Sequence, residues 1–252
     1  MPRVSVAMIV RNGAYTLKRS LESLKAFDDV VVYDNGSTDE SVAIASSFAN
    51  VRVFKGEFLG FGPTKNAAAA LTRHDWVLIL DADEVVDENL SQALNNASLL
   101  NDTLYLIRFR AFYKEREIRH CGWNNQKIRR LYNKTITCFN DNFVHENLKD
   151  EGLHVTLFEH GHILHYSYHS LSDFIIKADR YSSLYAANNV GKKKSSPAKA
   201  FFNGLYSFVR TYVLKRGFLD GWAGLVIAFS HMVTNFFKYM KLYEANKEAG
   251  YQ

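Results

Sequence analysis

The chain has 252 residues, 47% hydrophobic and 23% charged, with a net charge of +5, so it can bury a sizeable core and is not intrinsically disordered. Its two cysteines, Cys121 and Cys138, form no disulfide or metal-binding pattern, which suits a reducing cytoplasm. Because it contains neither about 18 uninterrupted apolar residues nor a signal-peptide pattern, we expect no membrane-spanning helix and no signal peptide.

Apolar runs in the first eighty residues alternate with segments of helical spacing. We predict buried strands at residues 4–10, 30–33, 51–54 and 76–80. Leu17, Leu21 and Leu24 have helical spacing, and Ser37 with Glu40 predicts a capping box for a second helix. Strands and helices that alternate with short connections indicate an α/β fold with a parallel sheet and right-handed crossovers.

Charged residues stand where the predicted strands end. The strand at 76–80 runs directly into Asp81, Asp83 and Glu84, and the second strand ends at Asp34. We expect an Ala-rich helix from Lys65 to Leu71 at a neighbouring junction. In an open α/β sheet, ligands bind beyond the carboxyl ends of the strands, so this set suits a nucleotide diphosphate and its metal ion. A solvated acidic turn is the alternative explanation for an isolated Asp-x-Asp.

Four motifs in a fixed order carry a family resemblance. They are Val4–Val10 with Arg11-Asn12, Asp34-Asn35-Gly36-Ser37-Thr38-Asp39, Lys65-Asn66-Ala67 and Asp81-Ala82-Asp83-Glu84. They resemble the landmarks of family 2 glycosyltransferases, which have the GT-A fold, with a mostly parallel, Rossmann-like nucleotide-binding sheet. Those enzymes take sugars from nucleotide sugars, usually with inversion. The family usually has Asp-Asp-Gly-Ser where this chain has Asp34-Asn35-Gly36-Ser37, so only the first acid corresponds.

The resemblance also implies roles for individual residues. Asp34 would contact the base, and Lys65 the base or a phosphate. Asp81 would meet the ribose, or the metal through water, and Asp83 would ligate Mg²⁺ or Mn²⁺ directly. Three further residues are expected to bind substrate: Val10, Asn12 and His145.

Later motifs narrow the resemblance to one branch and extend it over nearly the whole chain. They are Phe143-Val144-His145-Glu146, His165-Tyr166-Ser167-Tyr168, residues 177–185 and Gly217-Phe218-Leu219-Asp220-Gly221. They are similar to the lipopolysaccharide-core β-1,4-glucosyltransferases, which add glucose to a heptose of the inner core. The resemblance therefore implies UDP-glucose as donor and an anionic glycolipid as acceptor.

An inverting transfer needs a base that takes the proton from the acceptor hydroxyl. Glu146 is the first candidate and Asp141 the second, and an ion-paired surface acid is the alternative reading of Glu146. His165 could complete the metal site, because some GT-A enzymes use a downstream histidine. A histidine among aromatic residues is otherwise more often a hydrogen-bonded core residue.

The chain is expected to divide at a basic break, residues 191–197. Residues 1–190 would form the GT-A domain, with a nucleotide-sugar half at 1–100 and an acceptor half at 101–190. Residues 191–252 would form a helical tail, which carries ten Lys/Arg against three Asp/Glu. Aromatic residues interleaved with cations suit peripheral attachment to the inner face of the cytoplasmic membrane, whereas a charge run alone is usually a solvated face.

Two other functions fit parts of the sequence. The first is sugar transfer to polyprenyl phosphate, although such enzymes often carry membrane-spanning segments. The second is a non-catalytic module that binds a nucleotide sugar or a membrane, although both acids of the Asp-x-Asp are present. No nucleic-acid-binding module is recognised, so we expect no nucleic acid partner.

Overall fold

A computed structural model describes residues 3–124, 126–142 and 146–251. By their contacts, the residues form two compact units. The first unit comprises residues 1–110 and 125–165, and the second comprises residues 111–124 and 166–252. The domain division expected after residue 190 stays a prediction.

The first unit begins with a parallel sheet of the predicted kind. Its strands are β1 (Val4–Val10), β2 (Val30–Asp34), β3 (Val51–Lys55) and β4 (Trp76–Asp81), in the spatial order β3-β2-β1-β4. The connecting helices are α1 (Ala14–Glu22), α2 (Ser41–Ser46) and α3 (Phe61–Ala70). The predicted α/β alternation over the first eighty residues is therefore confirmed.

Alternate side chains of β1 pack into two cores, one on each face of the sheet. Met8 joins Leu17 of α1 in the larger core, which also receives the leucines of α4 (Glu88–Asn95). Ala7 lies in the other core with Ala68 of α3. Because the side chains between α3 and the sheet are small, the helix can lie close to the strands, and this carries Lys65 towards their carboxyl ends.

The strands after β4 join the sheet mainly in antiparallel fashion, so the whole sheet is mixed. They are β5 (Glu84–Val86), β6 (Thr103–Tyr113), β8 (Gln126–Asn133), β9 (His154–Leu157) and β10 (Ile163–Tyr168), and the path runs β3-β2-β1-β4-β8-β6-β10-β5 with β9 on β6. Antiparallel pairing of β10 with β5 sets His165 opposite Glu84. A histidine eighty residues away in the sequence is thus brought to the Asp-x-Asp segment.

The second unit combines a β-hairpin with helices. The end of β6 pairs with β7 (Arg116–Ile118), and the helices are α5 (Leu171–Asn189), α6 (Pro197–Val209) and α7 (Gly221–Glu248), with a π-helical turn at Arg210–Leu214 and a 3-10 turn at Gly217–Asp220. Ser170 and Asp173 form a capping box for α5. The predicted C-terminal helical extension is confirmed. Among the described residues, no helix is long and apolar enough to cross a bilayer.

Asp220 is a buried carboxylate that holds the loop after β7. It accepts hydrogen bonds from the backbone amides of Arg119 at 3.2 Å and His120 at 2.9 Å, and its Oδ1 lies 3.1 Å from the imidazole Nδ1 of His120. The Cys121 thiol lies 3.7 Å from the same carboxylate. Burial, reinforced by the negative charge of Asp220, raises the pKa of Cys121 to about 12. This thiol is therefore protonated and inert at neutral pH.

The capping box predicted at Ser37 and Glu40 is wrong. Helix α2 begins at Ser41, and Glu40, which precedes it, makes no capping hydrogen bond with its side chain. The Ser37 hydroxyl instead accepts a hydrogen bond from the backbone amide of Asn12 at 2.9 Å. A loop-to-loop contact has taken the place of a local cap.

Candidate active site

Two loops at the carboxyl ends of β1 and β2 are tied together by side chains. The backbone amide of Thr38 donates to Asn12 Oδ1 at 2.8 Å, and the amide of Ala14 donates to the Asp39 carboxylate at 3.0 Å. Asn12 has a φ of 53°, in the left-handed region that asparagine tolerates better than most residues. These bonds fix the loops on either side of the predicted base-binding residue, Asp34.

Asp34 is buried at the end of β2, where its carboxylate accepts a hydrogen bond from the Ser37 amide at 3.1 Å. In the sheet, Asp34 is paired with Val10 and Asp81 with Ile9, on opposite sides of β1. Two strand spacings separate the acids, or about 10 Å between their Cα atoms. The side chain of Val10 is buried, and its carbonyl accepts from the Asn35 amide at 2.8 Å.

Asp81 lies between two cations. Lys65 Nζ is 3.1 Å from Asp81 Oδ1, and Arg130 donates from Nη2 to Asp81 Oδ2 at 2.9 Å. Burial alone would raise the pKa of Asp81, but Arg130 and Lys65 outweigh it and hold this pKa well below its usual range. The aspartate is thus ionised at any pH at which the protein works, with 37% of its side chain exposed.

Glu84 is the buried partner on the other side of Arg130. Its carboxylate accepts a hydrogen bond from the Asp81 backbone amide at 2.9 Å and forms an ion pair with Arg130 Nη2. Burial raises the pKa of Glu84 to about 7; the negative charge of Asp81 adds to this rise and Arg130 opposes it. Arg130 therefore compensates the negative charges of Asp81 and Glu84, and Glu84 is fully buried.

Asp83 and His165 form the part of the site that could hold a metal ion. His165 Nε2 lies 3.4 Å from Asp83 Oδ2, and about a third of each side chain is exposed. Two ligands at about 2.1 Å from one octahedral cation lie about 3 Å apart, so this pair fits adjacent positions on Mg²⁺ or Mn²⁺. Such ions take their other ligands from water and phosphate oxygens. Within the described ranges, no group of three or more Asp, Glu, His or Cys side chains is arranged to hold a metal.

The charge of Asp83 also affects its histidine neighbour. Burial disfavours protonated His165, but the hydrogen bond and negative charge of Asp83, together with the charges of Glu84 and Asp81, raise its pKa. The ring is packed edge-on against Phe109, with 6.0 Å between the ring centroids. An aromatic neighbour and an acidic partner thus fix the orientation of the imidazole.

Glu146 reaches the same cluster from a loop between β8 and β9. Its Oε1 accepts a hydrogen bond from Lys65 Nζ at 2.8 Å, so Lys65 links Glu146 to Asp81. Asp141, the second candidate base, is exposed on the same loop. His145 lies outside the described residues.

Helix α3 holds that loop in place. The Asn66 side chain exchanges two hydrogen bonds with the backbone of Phe139, at 2.8 and 3.0 Å. A Cβ on Gly62 would lie 2.1 Å from the Asn140 carbonyl oxygen, so only glycine allows the loop to approach. The loop carrying the candidate bases is therefore fixed by the helix that carries Lys65.

A comparison of the sequence with models of protein families shows which family the chain belongs to. The model described as glycosyl transferase family 2 matches residues 5–166, more than half of the chain and all of the residues that form the cluster. The chain belongs to glycosyl transferase family 2. The enzyme is thus a glycosyltransferase, and its mixed α/β sheet is that of the GT-A fold, as expected from its sequence motifs.

Individual relatives resemble the enzyme over nearly its whole length. An uncharacterized glycosyltransferase of Rickettsia felis is 29% identical over 259 residues, which cover 97% of this chain and 91% of that protein. The lipopolysaccharide core biosynthesis glycosyltransferase LpsC of Rhizobium meliloti is 25% identical over 252 residues, 96% of this chain and 92% of its own. Among solved structures, S. aureus TarS 1–349 in complex with UDP is 14% identical, with a TM-score of 0.46, and the match covers 98% of this chain and 92% of that one.

The sequence motifs missed Arg130. It stands in β8 beside the charged residues Lys127 and Arg129, and no short motif marks it. The sequence feature that could have indicated a buried Arg130 is a cation followed directly by the apolar residues Leu131 and Tyr132, in a strand that the sheet would bury. An arginine in such a position needs a buried carboxylate nearby, and the available ones were Asp81 at the end of β4 with Asp83 and Glu84 after it.

Proposed function

We propose that this enzyme transfers glucose from UDP-glucose, with inversion, to a heptose of a lipopolysaccharide core or a related anionic glycolipid. The observation that carries the proposal is the gathering of Asp34, Lys65, Asp81 and the Asp83–His165 pair at the carboxyl edge of the parallel strands. The similarity to LpsC, whose name refers to lipopolysaccharide core biosynthesis, supports the choice of acceptor.

The donor would lie across the ends of β2, β1 and β4. Asp34, a buried carboxylate, would accept hydrogen bonds from the base. Asp81 would accept from the ribose, and Lys65 would attract the base or the diphosphate. Since Asp81 stays ionised between two cations, it is an acceptor that cannot be lost by protonation.

Asp83 and His165 would hold Mg²⁺ or Mn²⁺, which when bound would neutralise charge on the departing diphosphate. The two side chains have the ligand types and the separation that such an ion requires. Asp81 has both carboxylate oxygens engaged by Lys65 and Arg130, so it would contribute to the metal only through water.

Glu146 would act as the base. As the acceptor oxygen forms its bond to the anomeric carbon, the bond from that carbon to the diphosphate oxygen breaks. The hydroxyl proton passes to Glu146, and UDP leaves with the bonding electrons. The hydrogen bond from Lys65 would orient this carboxylate. Asp141, exposed on the same loop, is the second candidate.

We also propose that the enzyme is attached peripherally to the inner face of the cytoplasmic membrane. The second unit carries 15 Lys/Arg against 7 Asp/Glu, a net charge of +8. It also exposes aromatic side chains, among them Phe201, Phe202, Tyr206 and Trp222. Cations and exposed aromatic residues in the same unit favour the interface of an anionic leaflet.

The test is release of UDP from UDP-glucose in the presence of Mn²⁺ and a lipopolysaccharide-core acceptor. Glu146→Gln should lower kcat by about 10²–10⁴-fold, while Asp141→Asn, its matched control, should change kcat by less than about tenfold. Asp83→Asn should abolish turnover and weaken Mn²⁺-dependent binding of UDP measured by calorimetry.

Each alternative predicts a different result. Binding of UDP-glucose with no turnover on any core acceptor would favour a non-catalytic module, and transfer to polyprenyl phosphate would favour the other enzyme. A larger loss from Asp141→Asn than from Glu146→Gln would exchange the roles of the two acids. Mass spectrometry of lipopolysaccharide from cells lacking the protein should show a missing hexose, and an intact core would contradict the proposed acceptor.

A further inference from the structure

Helix α6 exposes its large apolar side chains to solvent. Phe202, Leu205, Tyr206 and Val209 recur at positions i, i+3, i+4 and i+7, so they form a single stripe along the helix, here the outer stripe. Their exposed fractions are 65, 44, 61 and 39%. A surface helix of a soluble protein ordinarily turns such a stripe towards the core. In α6 the stripe lies on the outside.

Small residues on another side of α6 pack against α7. A Cβ on Gly204 would lie 3.1 Å from the Met232 carbonyl oxygen, so the two helices approach closely at this point. Ala200, one turn earlier, is fully buried. In the next turn, the Ser207 hydroxyl accepts a hydrogen bond from Asn235 Nδ2 at 2.9 Å. The side of α6 that packs on α7 is therefore made of small residues, and the outer stripe lies away from it.

The sequence around the outer stripe is cationic. Residues 180–243 contain ten lysines and arginines but one acid, Asp220, and that acid is buried. Arg210 follows Val209 directly, and Arg216 stands just beyond the π-helical turn; both side chains are exposed. At about 100° per residue, Arg210 lies within about 40° of Tyr206 and so borders the outer stripe. The stripe thus belongs to a stretch of chain that exposes apolar groups and cations but no acid.

We propose that α6 lies flat in the interface of an anionic bilayer leaflet, with the outer stripe among the acyl chains and Arg210 at the lipid phosphates. Interfacial helices bury an apolar face about 5–10 Å into the boundary between headgroups and acyl chains, and their cations border that face. A second copy of the chain is a poorer occupant, because a two-fold contact would bring two cationic surfaces together and this stretch offers no exposed acid to pair with them. This inference rests on the proposed membrane attachment and deepens it by naming the helix, its face and the class of lipid.

The experiment uses the full chain and vesicles of phosphatidylcholine with or without phosphatidylglycerol, with binding measured by flotation. Leu205→Glu places a charge in the outer stripe. Asn203→Glu is its matched control, because it adds the same charge to the same helix about 160° away around the axis. Phe202→Glu repeats the test at a second position of the stripe. Arg210→Gln tests the bordering cation, and Lys25→Gln, an exposed lysine of the first unit, is its control. Circular dichroism checks that each variant is folded.

Leu205→Glu and Asn203→Glu have the same net charge, so repulsion by the leaflet should weaken the binding of both about fivefold. Leu205→Glu also removes an apolar side chain from the acyl layer, and it should bind at least about tenfold more weakly than Asn203→Glu. Arg210→Gln should weaken binding about fivefold, and Lys25→Gln less than about twofold. Equal losses from Leu205→Glu, Phe202→Glu and Asn203→Glu would mean that charge alone drives binding, and would overturn the insertion of the stripe. Equal binding to vesicles without phosphatidylglycerol would overturn the role of the anionic lipid.

Three further results separate this inference from the rest of the function. If the wild-type enzyme binds no vesicle at low salt, the membrane attachment and the role of α6 both fall. If sedimentation shows that wild type is a dimer and Leu205→Glu a monomer, a second copy covers the outer stripe and the lipid assignment is wrong. Release of UDP without vesicles should be unchanged by Leu205→Glu, so failure of the proposed sugar transfer would appear in a different assay.

Discussion

Replacing Arg130 with methionine should destabilise the enzyme by about 3–5 kcal/mol. The arginine side chain is 8% exposed and pairs with Asp81 and with Glu84, which is buried. Methionine retains much of the volume but removes the cation that pairs with Glu84, so this buried carboxyl must stay ionised without its partner or take up a proton. A buried charge that loses its partner in this way costs more than the pair contributed, because desolvation is no longer compensated.

The assay is thermal unfolding followed by circular dichroism. For a chain of this size, each kcal/mol lowers Tm by about 2–4 °C, so Arg130→Met should lower it by about 10 °C. Arg129→Met is the matched control, because Arg129 is the preceding residue of β8 and pairs with a half-exposed Asp150. That variant should cost less than about 1 kcal/mol.

A double variant locates the effect at the buried acid. Arg130→Met combined with Glu84→Gln removes both charges and keeps an acceptor for the Asp81 amide. It should recover at least about 1 kcal/mol of the loss, since a neutral buried amide costs less than an unpaired carboxylate. If Arg130→Met lowers Tm no more than Arg129→Met does, the arginine does not compensate the acids and the account of the site's charges is wrong.

Three other predictions follow from particular groups. Burial, together with the positive charges around it, lowers the pKa of His231 from 6.5 to about 4. Between these two pH values, His231 is therefore protonated in the unfolded chain and neutral in the folded state. Wild type should therefore lose about 2 kcal/mol more stability than His231→Gln between pH 7 and pH 5, measured by urea unfolding; equal losses would contradict the burial. Cys121 should resist a thiol reagent in the native enzyme and react once it is unfolded, whereas rapid native labelling at Cys121 would disprove its raised pKa. Gly62→Ala should cost about 1–3 kcal/mol and lower kcat, because its Cβ would collide with the Asn140 carbonyl, while Ala70→Ser at the exposed end of α3 should change neither.

The parallel half of the fold was predictable because its signals are local. Each buried strand of the first eighty residues is a short apolar run that ends at a turn or an acid, and the observed strands differ from the predicted ones by no more than a residue at their ends. Asp34 and Asp81 could be brought together from strand order alone, since parallel strands carry their carboxyl ends to the same edge. The helical character of residues 191–252 was likewise predicted.

The remaining features depend on pairing between distant segments. The partners of Lys65 and the burial of Glu84 follow from where β8 and the loop after it meet the earlier strands, which no local pattern encodes. The Asp83–His165 contact depends on the register of β5 and β10, and one residue of slip would turn His165 to the other face. The capping box at Ser37 failed for a related reason, because Asn12, twenty-five residues earlier in the chain, competed for the hydroxyl.

Asp220 has a consequence for the order of synthesis. The amides that it accepts belong to Arg119 and His120, about one hundred positions earlier, so their acceptor does not yet exist when the hairpin leaves the ribosome. Until the C-terminal third has been translated, the loop after β7 therefore lacks the carboxylate that holds it. A chain that stops at residue 190 would keep this loop without its carboxylate, and should therefore be prone to aggregation and cleavage in the cell.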